Sequence, residues 1–291
     1  MLQVARLAPR QLGESRDLVA GFLRNAITTD GGVADRDGRA DLYYTVFGLE
    51  GLIALQDPLP LDRVVPYLQR FGDGASLDFV HLACLVRAWA AVAPGLDGVP
   101  VEALAEGLGR FRSADGAFAQ TPGAARGTLY ASYLALGALQ DLRAPLPDAE
   151  RIGALASASR AADGGYGNQA GDRHGLTTTT AAAVLLLHEL DVAPDPHLGM
   201  WLLDRCHEGG GFFATPAAPV PDLLSTATAL HALAALKVPI DALLEPCLDF
   251  VDSLWTSRGG FYGNWADDTL DVEYTYYGLL ALGHLSLGAP A

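Results

Sequence analysis

Residues that could carry chemistry gather in two short segments near opposite ends of this 291-residue chain. One segment holds Arg36 and Arg39 and continues with Asp-Leu-Tyr-Tyr-Thr at residues 41–45. The other reads Asp-Val-Glu-Tyr-Thr at residues 271–275, with Glu273 at its centre. Guanidinium groups near helix N-termini can hold a diphosphate, whereas a desolvated carboxyl group can donate a proton. The two segments therefore predict two competing sites, one built on arginines and one on a carboxylic acid.

Both segments also have a purely structural explanation. An aspartate that precedes a helix accepts hydrogen bonds from the free N–H groups of the first turn. Capping of this kind accounts for four aspartates at equivalent positions, namely Asp41, Asp78, Asp222 and Asp271. Arg36 and Arg39 lie among acidic neighbours and can form solvated ion pairs, and the carboxylates around Glu273 can belong to a solvated loop. These alternatives stay open at the level of sequence.

The two segments are the first and last copies of an internal repeat. Each copy has a glycine-rich turn, a loop and then an apolar segment that opens with Asp or another small polar residue. Six copies follow one another roughly 42 to 49 residues apart, a period typical of helix-pair arrays. Apolar residues within a copy recur at helical spacing, as at Leu223, Ala227, Leu230 and Leu233. We therefore predict six inner helices, each accompanied by an amphipathic outer helix.

The terminal copies decide how these helix pairs are arranged. Outer helices are predicted at residues 148–160, 196–206 and 239–254, among others. An open solenoid has polar caps at its ends, but here the first and last copies are the most alike, and the last is apolar and aromatic. We therefore expect these copies to pack against each other and close a ring. The prediction is an all-α protein, a single α/α toroid of six helix-pair repeats over residues 1–291, with a central cavity.

Composition argues against several classes of function. The formal net charge is -15 and Lys237 is the single lysine, which disfavours binding to nucleic acid or to anionic membranes. The three cysteines lie far apart without a paired spacing, which indicates a reducing compartment. The N-terminus lacks the apolar core of a signal peptide, and no segment reaches the ~18 apolar residues of a spanning helix. We therefore expect a cytoplasmic protein.

The segment from Gly31 to Leu49, with its glycine pair and its D-x-x-[YH]-T helix start, resembles the repeat of the β subunits of protein prenyltransferases. More distantly, the chain is similar to the squalene-hopene and terpene cyclases, which share an α/α toroid with those subunits. The similarity runs through all six repeats. It implies an enzyme that holds an isoprenoid chain in its cavity, and it leaves room for a partner protein or a homo-oligomer.

The closest correspondence is with the site for prenyl transfer. In protein prenyltransferases, one repeat supplies an Arg and a Lys for the lipid diphosphate, an Asp and a Cys for zinc, and a Tyr, while the next supplies a zinc His. By this resemblance, Arg36 and Arg39 bind substrate and Tyr44 is catalytic. Asp41 and His81 fall at the positions of zinc ligands. Transfer of a prenyl group from a diphosphate is the function that most positions favour.

The zinc cysteine is the main departure from that pattern. Its position holds Tyr43, and a neutral phenol cannot replace a thiolate ligand. Ordinary zinc-dependent protein farnesylation or geranylgeranylation is therefore not expected. Cys84 follows His81 by one helical turn, so these two residues and Asp41 could form a metal site, for which Zn or Mg are the candidate ions. No cofactor follows with certainty.

The acidic segment resembles a different motif. Terpene cyclases of the protonating type use D-x-D-D-T at the start of one inner helix, where a buried carboxylic acid protonates an alkene. Here Asp271 and Glu273 would be catalytic, with Glu273 as the acid, and a shifted copy lies at Asp267, Asp268 and Thr269. This resemblance implies protonation-initiated cyclisation as an alternative. A toroid that binds a hydrophobic ligand without catalysis is the third reading, because both motifs are incomplete.

Aromatic residues are predicted to line the cavity in each case. Their rings suit isoprenoid chains and can stabilise carbocations, although core packing also explains part of them. Substrate contacts are expected from Tyr43, Phe47, Tyr130, Tyr274 and Tyr277. The expected ligand is a small hydrophobic isoprenoid molecule.

Overall fold

Two concentric layers of helices are formed by residues 1–168 and 170–288, which are the residues that the computed structural model describes. The helices are numbered in chain order, beginning with two short ones, α1 (Leu2–Ala5) and α2 (Pro9–Leu12). The outer layer contains α3 (Arg16–Asn25), α5 (Leu61–Gln69), α7 (Val101–Gly109), α9 (Ala149–Ala158), α11 (Leu198–Leu203) and α13 (Leu244–Leu254). The inner layer contains α4 (Leu42–Ala54), α6 (Phe79–Val92), α8 (Leu129–Asp141), α10 (Thr177–Glu189), α12 (Leu223–Ala235) and α14 (Val272–Gly288). The described residues also form 3-10 turns at Gly13–Ser15 and Asp241–Leu243 and an antiparallel hairpin of β1 (Val33–Ala34) and β2 (Ala40–Asp41).

The inner helices form a closed ring. Each inner helix packs on the next, from α4 round to α14, and α14 packs back on α4. The glycine turns show the same closure, because a turn packs closely on the following outer helix. In the first repeat, a Cβ added at Gly31 would overlap the Arg63 carbonyl on α5. In the last repeat, a Cβ added at Gly259 would overlap the Leu18 carbonyl on α3, which is the first outer helix. The predicted all-α toroid of six helix pairs is therefore confirmed within the described residues.

The repeated Asp and Thr residues hold the inner helices to the glycine turns. Asp271, for example, accepts a hydrogen bond from the backbone N–H of Tyr274 at 2.8 Å. Side chains that cap in the same way are Asp41, Asp78 and Asp222. Four residues after the cap, the Thr275 hydroxyl accepts a bond from the N–H of Phe261, just past the glycine turn, at 3.3 Å. Equivalent bonds reach the hydroxyls of Thr45, Ser132, Thr180 and Thr226.

Two outer helices are shorter than the sequence predicts. Helix α11 ends at Leu203, because Cys206 leaves the helix and pairs in a β-bridge with Phe212. Helix α13 begins at Leu244, after the 3-10 turn at Asp241–Leu243. Among the described residues, no helix combines the length and the apolar character needed to span a membrane.

Candidate active site

The arginine segment and the acidic segment, predicted as two competing sites, lie at the same place. Because α14 packs on α4, the hairpin that carries Arg36 comes close to the start of α14. The Arg36 guanidinium donates through Nε to Asp271 at 2.7 Å and through Nη2 to Asp267 at 3.1 Å. It also lies 5.6 Å from the centre of the Tyr274 ring. One rim, at the seam where the ring closes, therefore contains both sets of residues.

A carboxyl group and a phenol lie at the centre of this rim. Tyr43, in the first turn of α4, donates a hydrogen bond from its hydroxyl to Oε1 of Glu273, in the first turn of α14, at 2.6 Å. Burial raises the pKa of Glu273 to about 7, while the Tyr43 hydrogen bond opposes this rise and the charge of Asp271 adds to it. Both protonation states of Glu273 are therefore populated near neutral pH. Burial also raises the pKa of Tyr43, so its hydroxyl keeps its proton.

Next to this pair, the inner helices enclose a cavity of about 460 Å³. Phe47 packs edge-on against Tyr43, with 4.9 Å between ring centres, and its ring centre lies 5.5 Å from that of Tyr277. Tyr130 lines the cavity from α8, across the ring. These are four of the five predicted contact residues. Their rings offer an apolar wall and negative faces that can stabilise a cation.

Other predicted site residues lie at the rim and not in the cavity. Tyr274 packs beside Arg36, and Tyr44 is also close to that guanidinium. Glu273 is not one of the residues that line the cavity, and it reaches the cavity through Tyr43. The proton of Glu273 is therefore one hydrogen bond away from a ligand in the cavity.

The opposite end of the cavity is polar, and sequence analysis missed it. Glu50 on α4 accepts a hydrogen bond from Arg87 on α6 at 2.6 Å. Asp141 at the end of α8 and Glu189 at the end of α10 also line the cavity. We call these four residues the polar end. Glu50 could have been found from sequence, because it continues the helical spacing of the aromatic residues along α4.

The predicted metal ligands are brought together only in part. His81 lies 3.3 Å from Asp41 through Nε2 and 2.8 Å from Asp78 through Nδ1. Cys84 is buried, and burial raises the pKa of its thiol to about 12, so it stays protonated. Within residues 1–168 and 170–288, no three His, Cys, Asp or Glu side chains are grouped so that they could hold a metal ion. The metal site therefore stays a prediction that gains no support from the geometry.

Two predicted residues lie outside the rim. Arg39 is exposed and pairs with Asp37 at 2.5 Å. Asp268, from the shifted D-D-T copy, is also exposed and accepts a hydrogen bond from the neighbouring Thr269 at 3.0 Å. Neither side chain is among those that line the cavity.

Sequence comparison places almost the whole chain in one family. The sequence model of the prenyltransferase alpha-alpha toroid domain matches residues 11–78, 69–213 and 195–287. No curated protein matches the chain in sequence.

Proteins with different activities have solved structures with the same fold as this chain. A variant of the type II terpene cyclase MstE from Scytonema, in complex with its substrate geranylgeranyl dihydroxybenzoate, is 13% identical over 97% of this chain and 98% of that one, with a TM-score of 0.65. Candida albicans protein geranylgeranyltransferase-I complexed with GGPP is 15% identical over 94% and 90%, with a TM-score of 0.68. A D-mannose isomerase is 14% identical over 94% and 97%, with a TM-score of 0.65. At these identities the similarity shows the fold alone.

Proposed function

We propose that this chain, which belongs to the prenyltransferase alpha-alpha toroid domain family, protonates a carbon–carbon double bond of an isoprenoid substrate and thereby starts its cyclisation. The observation that carries the proposal is the hydrogen bond between Tyr43 and Glu273 at the edge of an aromatic cavity. The MstE substrate and the GGPP of the transferase both contain a geranylgeranyl group, which supports a prenyl chain as the ligand.

The proton passes from Glu273 through Tyr43. When Glu273 is neutral, the hydrogen bond runs the other way, from the carboxyl O–H to the Tyr43 oxygen, and the Tyr43 hydroxyl turns toward the cavity. The carboxyl group then gives its proton to the Tyr43 oxygen while the Tyr43 hydroxyl gives its own proton to an alkene carbon. A C–H bond forms on the substrate, one O–H bond breaks on each side chain, and one O–H bond re-forms on Tyr43. The tyrosine is therefore regenerated, Glu273 becomes a carboxylate, and the substrate becomes a carbocation. Tyr43 acts only as a relay, because its raised pKa keeps it from ionising.

The rest of the cavity directs the cation. The faces of Phe47 and Tyr277 can stabilise positive charge while the next double bond attacks it. The final cation must lose a proton, and His231 on the cavity wall is available as the acceptor. Burial lowers the pKa of His231 to about 3, so the imidazole is neutral before the reaction. The product is then an isomer of the substrate.

Transfer from a diphosphate, which the sequence favours, has less support. A leaving diphosphate needs cations that are free to bind it. Arg36 is engaged by Asp271 and Asp267, and exposed Arg39 pairs with Asp37 outside the cavity. The described residues also lack a grouped set of three metal ligands.

Product analysis tests the proposal. The purified protein is incubated with geraniol, farnesol and geranylgeraniol and with the corresponding diphosphates, and products are followed by mass spectrometry and by assay of released diphosphate. We expect cyclised isomers of unchanged mass and no diphosphate release. Glu273→Gln should lose at least ~100-fold in turnover, because the amide cannot donate the proton. Glu106→Gln, on the exposed face of α7, is the matched control and should turn over normally.

Two other results would reject cyclisation. Diphosphate release that Arg36→Gln abolishes would support transfer. Tight binding of the prenyl compounds without any turnover would support the non-catalytic alternative.

A further inference from the structure

We propose that the polar end of the cavity binds the headgroup of the substrate, and that this headgroup is a hydrogen-bond donor such as an alcohol, a phenol or an amine and not a diphosphate. The inference rests on the proposed function for the presence of a prenyl chain. It adds the class of substrate and the end of the cavity that the headgroup occupies.

Polar groups without partners mark this end as a binding site. The Asp141 carboxylate lies near Arg87 and Glu50 but forms no hydrogen bond with another described residue. The hydroxyl of Tyr276, a cavity residue that is 1% exposed, lies close to Glu50 but forms no hydrogen bond of normal distance and angle within the described chain. A buried polar group without a hydrogen bond is costly, so the Tyr276 hydroxyl indicates that a polar ligand completes the site. The half-buried Asp141 carboxylate offers a free acceptor at the same end.

The charges at the polar end favour a donor over an anion. Three carboxylates, on Glu50, Asp141 and Glu189, face one guanidinium, on Arg87. Arg87 is already paired with Glu50. A diphosphate would therefore meet more negative than positive charge. A hydroxyl or ammonium group could instead donate to Asp141.

The positions of the two ends fit a substrate with a head and a tail. Gln140 and Glu189, joined by a hydrogen bond of 2.9 Å, are both exposed and line the cavity, so the polar end reaches solvent. Glu50 follows Tyr43 by two turns of α4, which separates the two ends by about 10 Å. A chain that enters tail first brings its terminal double bond to Tyr43 and leaves its headgroup at Asp141.

A matched pair of ligands tests this inference by binding alone. Farnesol and farnesyl methyl ether differ by the replacement of the donor hydrogen with a methyl group. Their affinities are measured by calorimetry on the wild type and on Glu273→Gln, in which turnover is suppressed. We expect the ether and farnesyl diphosphate each to bind at least ~10-fold more weakly than the alcohol, since one hydrogen bond to a charged acceptor has about that value. Asp141→Leu should remove the preference for the alcohol. Glu106→Leu, on the exposed face of α7, should retain it.

Equal affinity for the alcohol and the ether, or tighter binding of the diphosphate, would overturn the inference. The comparison of the ligands on Glu273→Gln, which retains Asp141, decides this even if Asp141→Leu does not fold. A preference for the alcohol in a protein that never cyclises it would reject the proposed function and leave the headgroup site standing. Cyclisation of the ether and the diphosphate as efficiently as the alcohol would reject the headgroup site and leave the proposed function standing.

Discussion

The hydroxyl oxygen of Tyr43 lies 2.6 Å from Oε1 of Glu273, and this hydrogen bond joins the first repeat of the toroid to the last. Both residues lie in the first turn of an inner helix, and they meet only because α14 packs back on α4. The site is therefore a consequence of ring closure. A change that opens the seam should remove the site even where the individual helices persist.

Turnover should decrease as the pH rises through about 7. The protonated form of Glu273 is the proton donor, and burial raises its pKa to about 7, so the active fraction is high below that pH and falls above it. The profile of kcat/KM across the neutral range measures this, with a slope that approaches tenfold per pH unit on the alkaline side. A rate that increases through pH 7 would mean that the carboxylate acts as a base.

Tyr43→Phe should reduce kcat by at least ~100-fold, because it removes the relay between Glu273 and the cavity. It should also raise the pKa of Glu273, since the lost hydrogen bond stabilises the carboxylate, and the alkaline limb of the residual activity should move to higher pH. Tyr262→Phe removes a hydroxyl that accepts a hydrogen bond from the exposed Arg258 at 3.4 Å and serves as the control. A Tyr43→Phe protein with near-normal kcat would show that Glu273 protonates the substrate directly.

Arg36→Gln should destabilise the protein more than Arg39→Gln does. Removing Arg36 leaves the Asp271 carboxylate, whose side chain is 4% exposed, without its ion-pair partner, at a cost of about 1–3 kcal/mol. Arg39 is exposed together with Asp37, so its loss should change the free energy of unfolding by less than ~0.5 kcal/mol. Urea unfolding of the two variants gives the comparison. Equal effects would argue that the rim ion pairs do not contribute to stability.

Gly259→Ala should open the seam. Both Gly259 and Gly38 have positive φ, at 91° and 82°, but a Cβ at Gly259 would overlap the Leu18 carbonyl, whereas the space around Gly38 is open. Gly38→Ala therefore measures the backbone strain alone, about 1 kcal/mol. Gly259→Ala should cost at least ~2 kcal/mol more and should lower activity, as measured by thermal unfolding and turnover. Similar losses of stability in both variants would contradict the packing of the last turn on α3.

The sequence carries most of the information about the fold. The repeat period, the helical spacing of apolar residues and the likeness of the first and last copies predict a closed toroid, and the structure has one. Four aromatic lining residues also follow from their places near the starts of inner helices. These features are local, so they can be recognised without knowing which residues meet across the ring.

The features that the sequence did not predict include contacts between segments that are far apart in the chain. Arg36 and Asp271 are far apart in the chain, and the spacing within each segment does not show that they form one rim. The polar end was missed for a different reason. Inner helices are apolar on nearly every side, so Glu50 and Arg87 do not stand out as a polar stripe and look like isolated charges.

The most direct test of protonation-initiated cyclisation is the isotopic composition of the product formed in D₂O. We expect wild-type protein incubated with a prenyl alcohol in D₂O to give a cyclised product with one deuterium at the carbon that was protonated, and Glu273→Gln to give almost none. A cyclised product that contains no solvent deuterium, or the absence of any cyclised product from the alcohol, would contradict protonation-initiated cyclisation.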